Sequence, residues 1–265
     1  MRHAMTSATS LACFLAAALA AAQDPATDES AEWPTIKETL FPGNPEIIED
    51  DLLTLITPAR AADAAIVPIN VQANIDQSGH VYIRKVYLVV DANPSPIVGT
   101  FSLSPFNGTA SLSTRVRINA YSHARAIAET SDGRLHMTTN FVKASGGCSA
   151  PAGTDDELAQ EHKGEMKLRQ RMVGGFSEVQ LLISHPNYSG LQIDQLTRYW
   201  IPPDYVSDVQ VSLDDKPVLS FTGGISISEN PSISFFMQPG HEGTLKAVVK
   251  DSKDREYRQE WPLKP

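Results

Sequence analysis

Cysteine is nearly absent from this chain. Cys13 and Cys148 are the only two in 265 residues. No CxxC occurs, and His80, His123, His136, His162, His185 and His241 show no short paired spacing, so no metal site is predicted. A phosphate loop and a dinucleotide fingerprint are also missing, and no cofactor is expected. Positive charge is scarce: 22 Lys and Arg stand against 31 Asp and Glu, a net charge of −9. That balance disfavours nucleic acid as a partner and suits solubility. No apolar run approaches the roughly 20 residues that span a bilayer, so no membrane span is expected.

One short apolar run does exist. LACFLAAALAAA (11–22) ends in small residues and is followed by polar, acidic sequence, the pattern of an export signal cleaved near Ala22. A lipoprotein reading of Cys13 fails because most of the apolar run follows it. Residues 1–22 are therefore expected to be removed and the mature chain to be exported to the periplasm. Cleavage takes Cys13 with it. It also removes Arg2, leaving 21 bases against 31 acids and a net charge of −10.

The mature chain then holds one cysteine in an oxidising compartment and cannot close an internal disulfide. Cys148 sits in KASGGCSAP (143–151). The bland reading is a buried cysteine that packs as a small hydrophobe. Ser145, Gly146, Gly147 and Ser149 offer it little apolar surface, and the glycines favour an exposed loop that pushes the thiol outward. Lys143, His162 and Lys163 would lower the thiol pKa, and Asp155, Asp156 and Glu157 would raise it. A cysteine hydrolase would need a histidine beside the sulfur. His185, in ISHPNYSG at a strand end, is the candidate. A nucleophile on a glycine tether is poorly preorganised for catalysis, so no catalytic residue and no enzyme activity are predicted.

Residues 23–60 read as a helical lead-in. Thr35 and Glu38 resemble a capping box, and Asn44-Pro45-Glu46 reads as a second helix start running through Ile47 to Ile56 and ended by Pro58. From about residue 65 the apolar period becomes two. Strands are predicted over 66–75, 81–90, 99–106, 113–121, 123–130 and 135–143, separated by turn residues. Residues 144–163 lose the pattern and read as an exposed loop or linker. A second strand series follows over 166–172, 177–185, 205–213, 217–221, 232–238, 244–250 and 256–261. The expectation is all-β: two immunoglobulin-like β-sandwich domains, 61–152 and 164–265, joined by a linker at 153–163.

These segments together resemble a known family. TPARAADAAIVPINV (57–71), RKVYLVVDANPSPIVGTFSL (84–103), TRVRINAYSHARAIAE (114–129) and MTTNFVKASGGC (137–148) resemble the Y subunit of the SoxYZ sulfur carriers. MKLRQRM (166–172), LLISHPNYSGLQIDQ (181–195) and GGISISENPSISFFM (223–237) resemble the Z subunit. The chain is most similar to the fused SoxYZ-like proteins associated with quinoprotein dehydrogenases. The resemblance implies a carrier whose cysteine, here Cys148, holds sulfur intermediates covalently on a mobile arm containing Gly146 and Gly147. It implies as partners periplasmic sulfur-oxidising enzymes, or a PQQ-dependent dehydrogenase and a c-type cytochrome. Two departures stand out: Ser149 and Ala150 replace the last two arm glycines, and the arm continues into a second domain. A non-covalent accessory module docking on the dehydrogenase or its cytochrome is the alternative.

Overall fold

The structure is a computed structural model that describes residues 30–151, 153 and 156–263. The export signal and Cys13 lie outside the described residues. The first half comprises α1 (Trp33–Leu40), β1 (Ile47–Glu49), β2 (Leu53–Ile56), β3 (Val67–Ala73), β4 (Ile83–Val90), β5 (Ile97–Leu103), β6 (Asn107–Val116), β7 (Ser122–Thr130) and β8 (Leu135–Val142). The second half holds α2 (Asp156–Glu161), β9 (Met166–Val173), β10 (Phe176–Ile183), β11 (Val206–Leu213), β12 (Lys216–Gly223), β13 (Ser232–Met237), β14 (Gly243–Asp251) and β15 (Glu256–Leu263). The all-β expectation holds.

Two sheets face each other. One has nine strands in the order β1-β8-β7-β4-β5-β12-β11-β14-β15, and the other has six, β2-β3-β6-β13-β10-β9. Each sheet draws strands from both halves of the chain. The halves join edge to edge through the antiparallel pairs β5–β12 and β6–β13. Joining covers edges that separate sandwiches would leave open to foreign strands. At the first seam Gly99 pairs with Gly223 and Phe101 with Phe221. The ring of Phe221 lies where a Cβ on Gly99 would sit, 2.4 Å from its Cε2. Alternating burial along β3 and β6 turns Val67, Ile69, Val71, Leu112 and Val116 inward. They share one continuous core with Phe221, Phe235 and Val249 of the second half.

The lead-in differs from expectation. α1 begins two residues before Thr35, its N-cap Glu32 makes no side-chain cap bond, and Pro34 falls in the first turn. It lays Trp33 and Ile36 on Val89, Ile127, Leu135 and Met137, covering the outer face of the larger sheet. The buried Arg125 stacks on Trp33, 4.2 Å from the ring centre, and pairs with Asp91. The predicted second helix is two strands instead. Asn44 has φ +49, which ends rather than starts a helix, and Ile47–Glu49 pairs in parallel with Leu135–Met137. The apolar positions of IIEDDLLTLI fit either period, and open sheet edges at β8 and β3 decide for strands.

Candidate functional site

The cysteine loop follows β8 at one end of the sandwich. It is not the exposed linker that composition predicts, at least over residues 144–148. Ala144, Gly147 and Cys148 are buried, and Cys148 has no exposed surface. The reason lies in the backbone. Gly146 N donates to the Asn119 carbonyl at 2.8 Å, and Gly147 N donates to that of Ile118 at 3.0 Å. A Cβ on Gly147 would stand 2.0 Å from the Ala64 carbonyl oxygen, so only glycine permits the approach. Gly146 and Gly147 are the expected arm residues; here Gly147 serves close packing, while a Cβ on Gly146 would meet nothing within 4 Å. Gly146, at φ +79, turns the chain, and Ser149 is exposed.

The second half closes over the loop. Ser189 Oγ donates to the Cys148 carbonyl at 2.5 Å, and Gln192 Nε2 donates to that of Ala150 at 3.0 Å. Arg117, just past β6, bridges the halves by donating from Nη1 to the Gly147 carbonyl and from Nη2 to the Asn187 carbonyl, at 3.2 and 3.3 Å. Asn93, in the β4–β5 turn, braces this arrangement. Its Nδ2 donates to the Arg117 carbonyl at 2.7 Å, and its Oδ1 accepts from Asn119 N at 2.8 Å. Burial pushes the Cys148 thiol up from 9.0 to about 11, and Arg117 opposes part of that shift. Of the side chains expected to tune the thiol, Lys163 binds Asp204 at 2.6 Å and His162 binds Glu165 at 3.0 Å, while Asp155 and the side chains of Asp156 and Glu157 lie outside the described residues. Sequence reading missed Arg117, Ser189 and Gln192, although all three lie inside the segments that carry the resemblance.

His185 is buried, and its ring contacts are with Asn187, Asp204 and Asp251 rather than the thiol. Its Nδ1 accepts from Asn187 N at 3.1 Å, which leaves the ring proton on Nε2. Nε2 lies 3.6 Å from both Asp204 Oδ1 and Asp251 Oδ2. Burial, then Lys163, depress its pKa to about 4 against the pull of the two carboxylates. With both nitrogens so placed, His185 is no base for Cys148. His185, Asp204 and Asp251 hold three donor atoms within 4.8 Å of one another, a metal-like set. The occupied Nδ1 leaves Nε2 protonated rather than free to ligate. Lys163 and Arg255 already neutralise Asp204, and Arg255 Nε also holds Asp251 at 2.7 Å. The cluster reads as a charge network that anchors the HPNYSG loop (185–190) beside the cysteine.

The site thus belongs to a double β-sandwich in which one half carries the one cysteine among the described residues and the other half shuts it in. Residues 37–148 match the family model described as sulfur oxidation protein SoxY, a match that ends on Cys148. Residues 166–262 match the model described as sulphur oxidation protein SoxZ. The chain carries these two domains in tandem and is a SoxYZ-like fusion. No curated protein matches it. Among solved structures it is similar to the sulfur carrier protein SoxY from Chlorobium limicola f thiosulfatophilum, with 22% identity, 43% of this chain and 91% of that one covered, and a TM-score of 0.36. It is also similar to a superoxide reductase (neelaredoxin) from Ignicoccus hospitalis, with 12% identity, 37% and 94% covered, and a TM-score of 0.32. Fibronectin(III)-like modules of Clostridium thermocellum CbhA give 11% identity, 79% and 92% covered, and a TM-score of 0.24. Scores this low support no functional inference.

Proposed function

We propose that this chain is a periplasmic sulfur-oxidation carrier that holds a thiol-linked intermediate on Cys148 and presents it to partner enzymes, without catalysing their chemistry. The observation that carries the reading is the tandem of SoxY and SoxZ domains, the first ending on the one cysteine of the expected mature chain. Burial of that cysteine counts against a freely swinging arm, so the reading requires the described state to be a docked one. The bonds that hold the loop, from Gly146 N, Gly147 N, Arg117, Ser189 and Gln192, contribute about 0.5–1.5 kcal/mol each. Their sum is within reach of a partner's binding energy, so a partner that binds only the released arm can draw it out. A buried thiol with a raised pKa is protected from stray oxidation between transfers. Partners of this kind are sulfur-oxidising enzymes, or a PQQ-dependent dehydrogenase and its cytochrome.

One observation suits the accessory reading as well. The loop that supplies Ser189 and Gln192 runs on into a turn with Leu196, Tyr199 and Trp200 exposed by 93%, 77% and 64%. Such a surface serves docking whether or not the thiol is loaded. Replacing Cys148 with Ser at the native locus separates the two. Host sulfur oxidation that depends on this protein is lost if Cys148 carries the intermediate. It is unchanged if the protein only docks.

A further inference from the structure

Among the described residues Arg117 is the largest side chain with no exposed surface, and its charge is incompletely matched. Its guanidinium has two carbonyl acceptors, while its buried Nε–H has no partner. Among the described residues no carboxylate pairs with it directly. The carboxylates that bear on it are those of Glu229 and Asp63, and Cys148 adds a negative charge only when it ionises. A buried cation with an unfilled donor is costly and calls for an anion that completes it. The backbone fixes where that anion comes from. Arg117 N donates to the Ser226 carbonyl at 2.8 Å, and Nη1 grips the residue before Cys148.

We propose that Arg117 is the anion-holding residue of the carrier site. Its guanidinium takes the negative charge of the sulfur group on Cys148, whether thiolate, persulfide or S-sulfonate, and that group accepts from Nε–H. The proposal rests on the carrier reading above. A planar fork of donors suits a sulfonate or persulfide better than the point charge of a lysine. The added atoms need room, and the loop provides it on its outer side. A Cβ on Gly146 would meet nothing within 4 Å, and Ser149 is exposed. A modest outward shift of the loop, toward the side where a Cβ on Gly146 meets nothing, admits the group beside Arg117.

The test uses the mature protein with no partner present. Exchange with 2-hydroxyethyl disulfide caps Cys148 as a neutral mixed disulfide, releasing one mercaptoethanol. Sulfite then attacks Cys148 Sγ through its sulfur lone pair. The bond between the two disulfide sulfurs breaks, its electron pair leaves on mercaptoethanol, and an anionic S-sulfonate remains on Cys148. No oxidant is needed. Intact mass spectrometry gives the equilibrium ratio of S-sulfonate to mixed disulfide at fixed sulfite and mercaptoethanol, in native protein and in urea. We expect the native ratio to exceed the unfolded one by about ten- to a hundredfold, the range of a charged hydrogen bond. Arg117→Met brings the native ratio down to the unfolded value, and Arg117→Lys leaves an intermediate ratio. Equal native and unfolded ratios in the wild type overturn the proposal, as does a wild-type ratio in Arg117→Met. Should Arg117→Met fail to fold, the wild-type comparison and Arg117→Lys decide. A ratio of one together with adducts on protein from cells sinks this inference alone; bare protein from cells sinks the carrier reading alone.

Discussion

Gly147 is where a single methyl group tests the docked loop. Its Cβ in Gly147→Ala would meet the Ala64 carbonyl oxygen at 2.0 Å, the Ala64 carbonyl carbon at 2.5 Å and the Ile118 carbonyl oxygen at 2.7 Å. All three are backbone atoms, so the loop must leave its berth. Leaving exposes Cys148 and removes the desolvation that raises its pKa from 9.0 to about 11. At pH 8 the thiolate fraction then rises from about 0.1% to about 10%, roughly a hundredfold, before any gain in access is counted. The assay is the rate of Cys148 modification by a chromogenic disulfide at pH 8, with Cys148→Ser as blank. Gly147→Ala reacts at least about a hundredfold faster than the wild type. Gly146→Ala is the control. Its φ of +79 strains alanine by about 1 kcal/mol, but the added methyl meets nothing, so its rate changes far less. Equal rates for wild type and Gly147→Ala would refute the docked loop as the solution state.

The remaining predictions concern stability and assembly. A thiol whose pKa is higher folded than unfolded binds its proton more tightly when folded, so its contribution is full below pH 9 and is lost as pH rises toward 11. Denaturant unfolding of wild type and Cys148→Ser should therefore converge by about 2–3 kcal/mol across that window, and parallel curves would contradict the shift. His185 has the opposite sign. Its depressed pKa makes its contribution full above 6.5 and lost as pH falls toward about 4, and His185→Gln should flatten the acid limb of the stability curve there. Cleaving the chain at a protease site inserted after Gly153 should leave the halves bound, because β5–β12 and β6–β13 pair across the seam over one core. Separation of the fragments on gel filtration without denaturant would contradict the shared sheets.

The strands of both series were legible because each carries alternating apolar residues between turn signals, as β6 and β10 show. Their assembly was not. Two strand series give two sandwiches, as the structure has them, but nothing local reveals the seam between them, where Phe221 fills the space beside Gly99. IIEDDLLTLI was misread because its apolar positions suit both periods, and the choice depended on distant edges at β8 and β3. Cys148 itself stood out by scarcity. Its burial did not, because small residues at 145–149 suggest exposure, while the groups that enclose it, Ala64, Arg117, Ile118 and Ser189, lie far away in sequence. Arg117 read as one polar position in a strand-like run, and only its buried, unfilled guanidinium marks it.

The central claim is that Cys148 carries a covalent group. The most direct measurement is the intact mass of the mature protein taken from periplasm of cells oxidising reduced sulfur, before and after a reductant, beside Cys148→Ser. A removable adduct on wild type and none on the variant is the predicted result. A bare thiol in the wild type under those conditions would contradict the account and leave the docking module in its place.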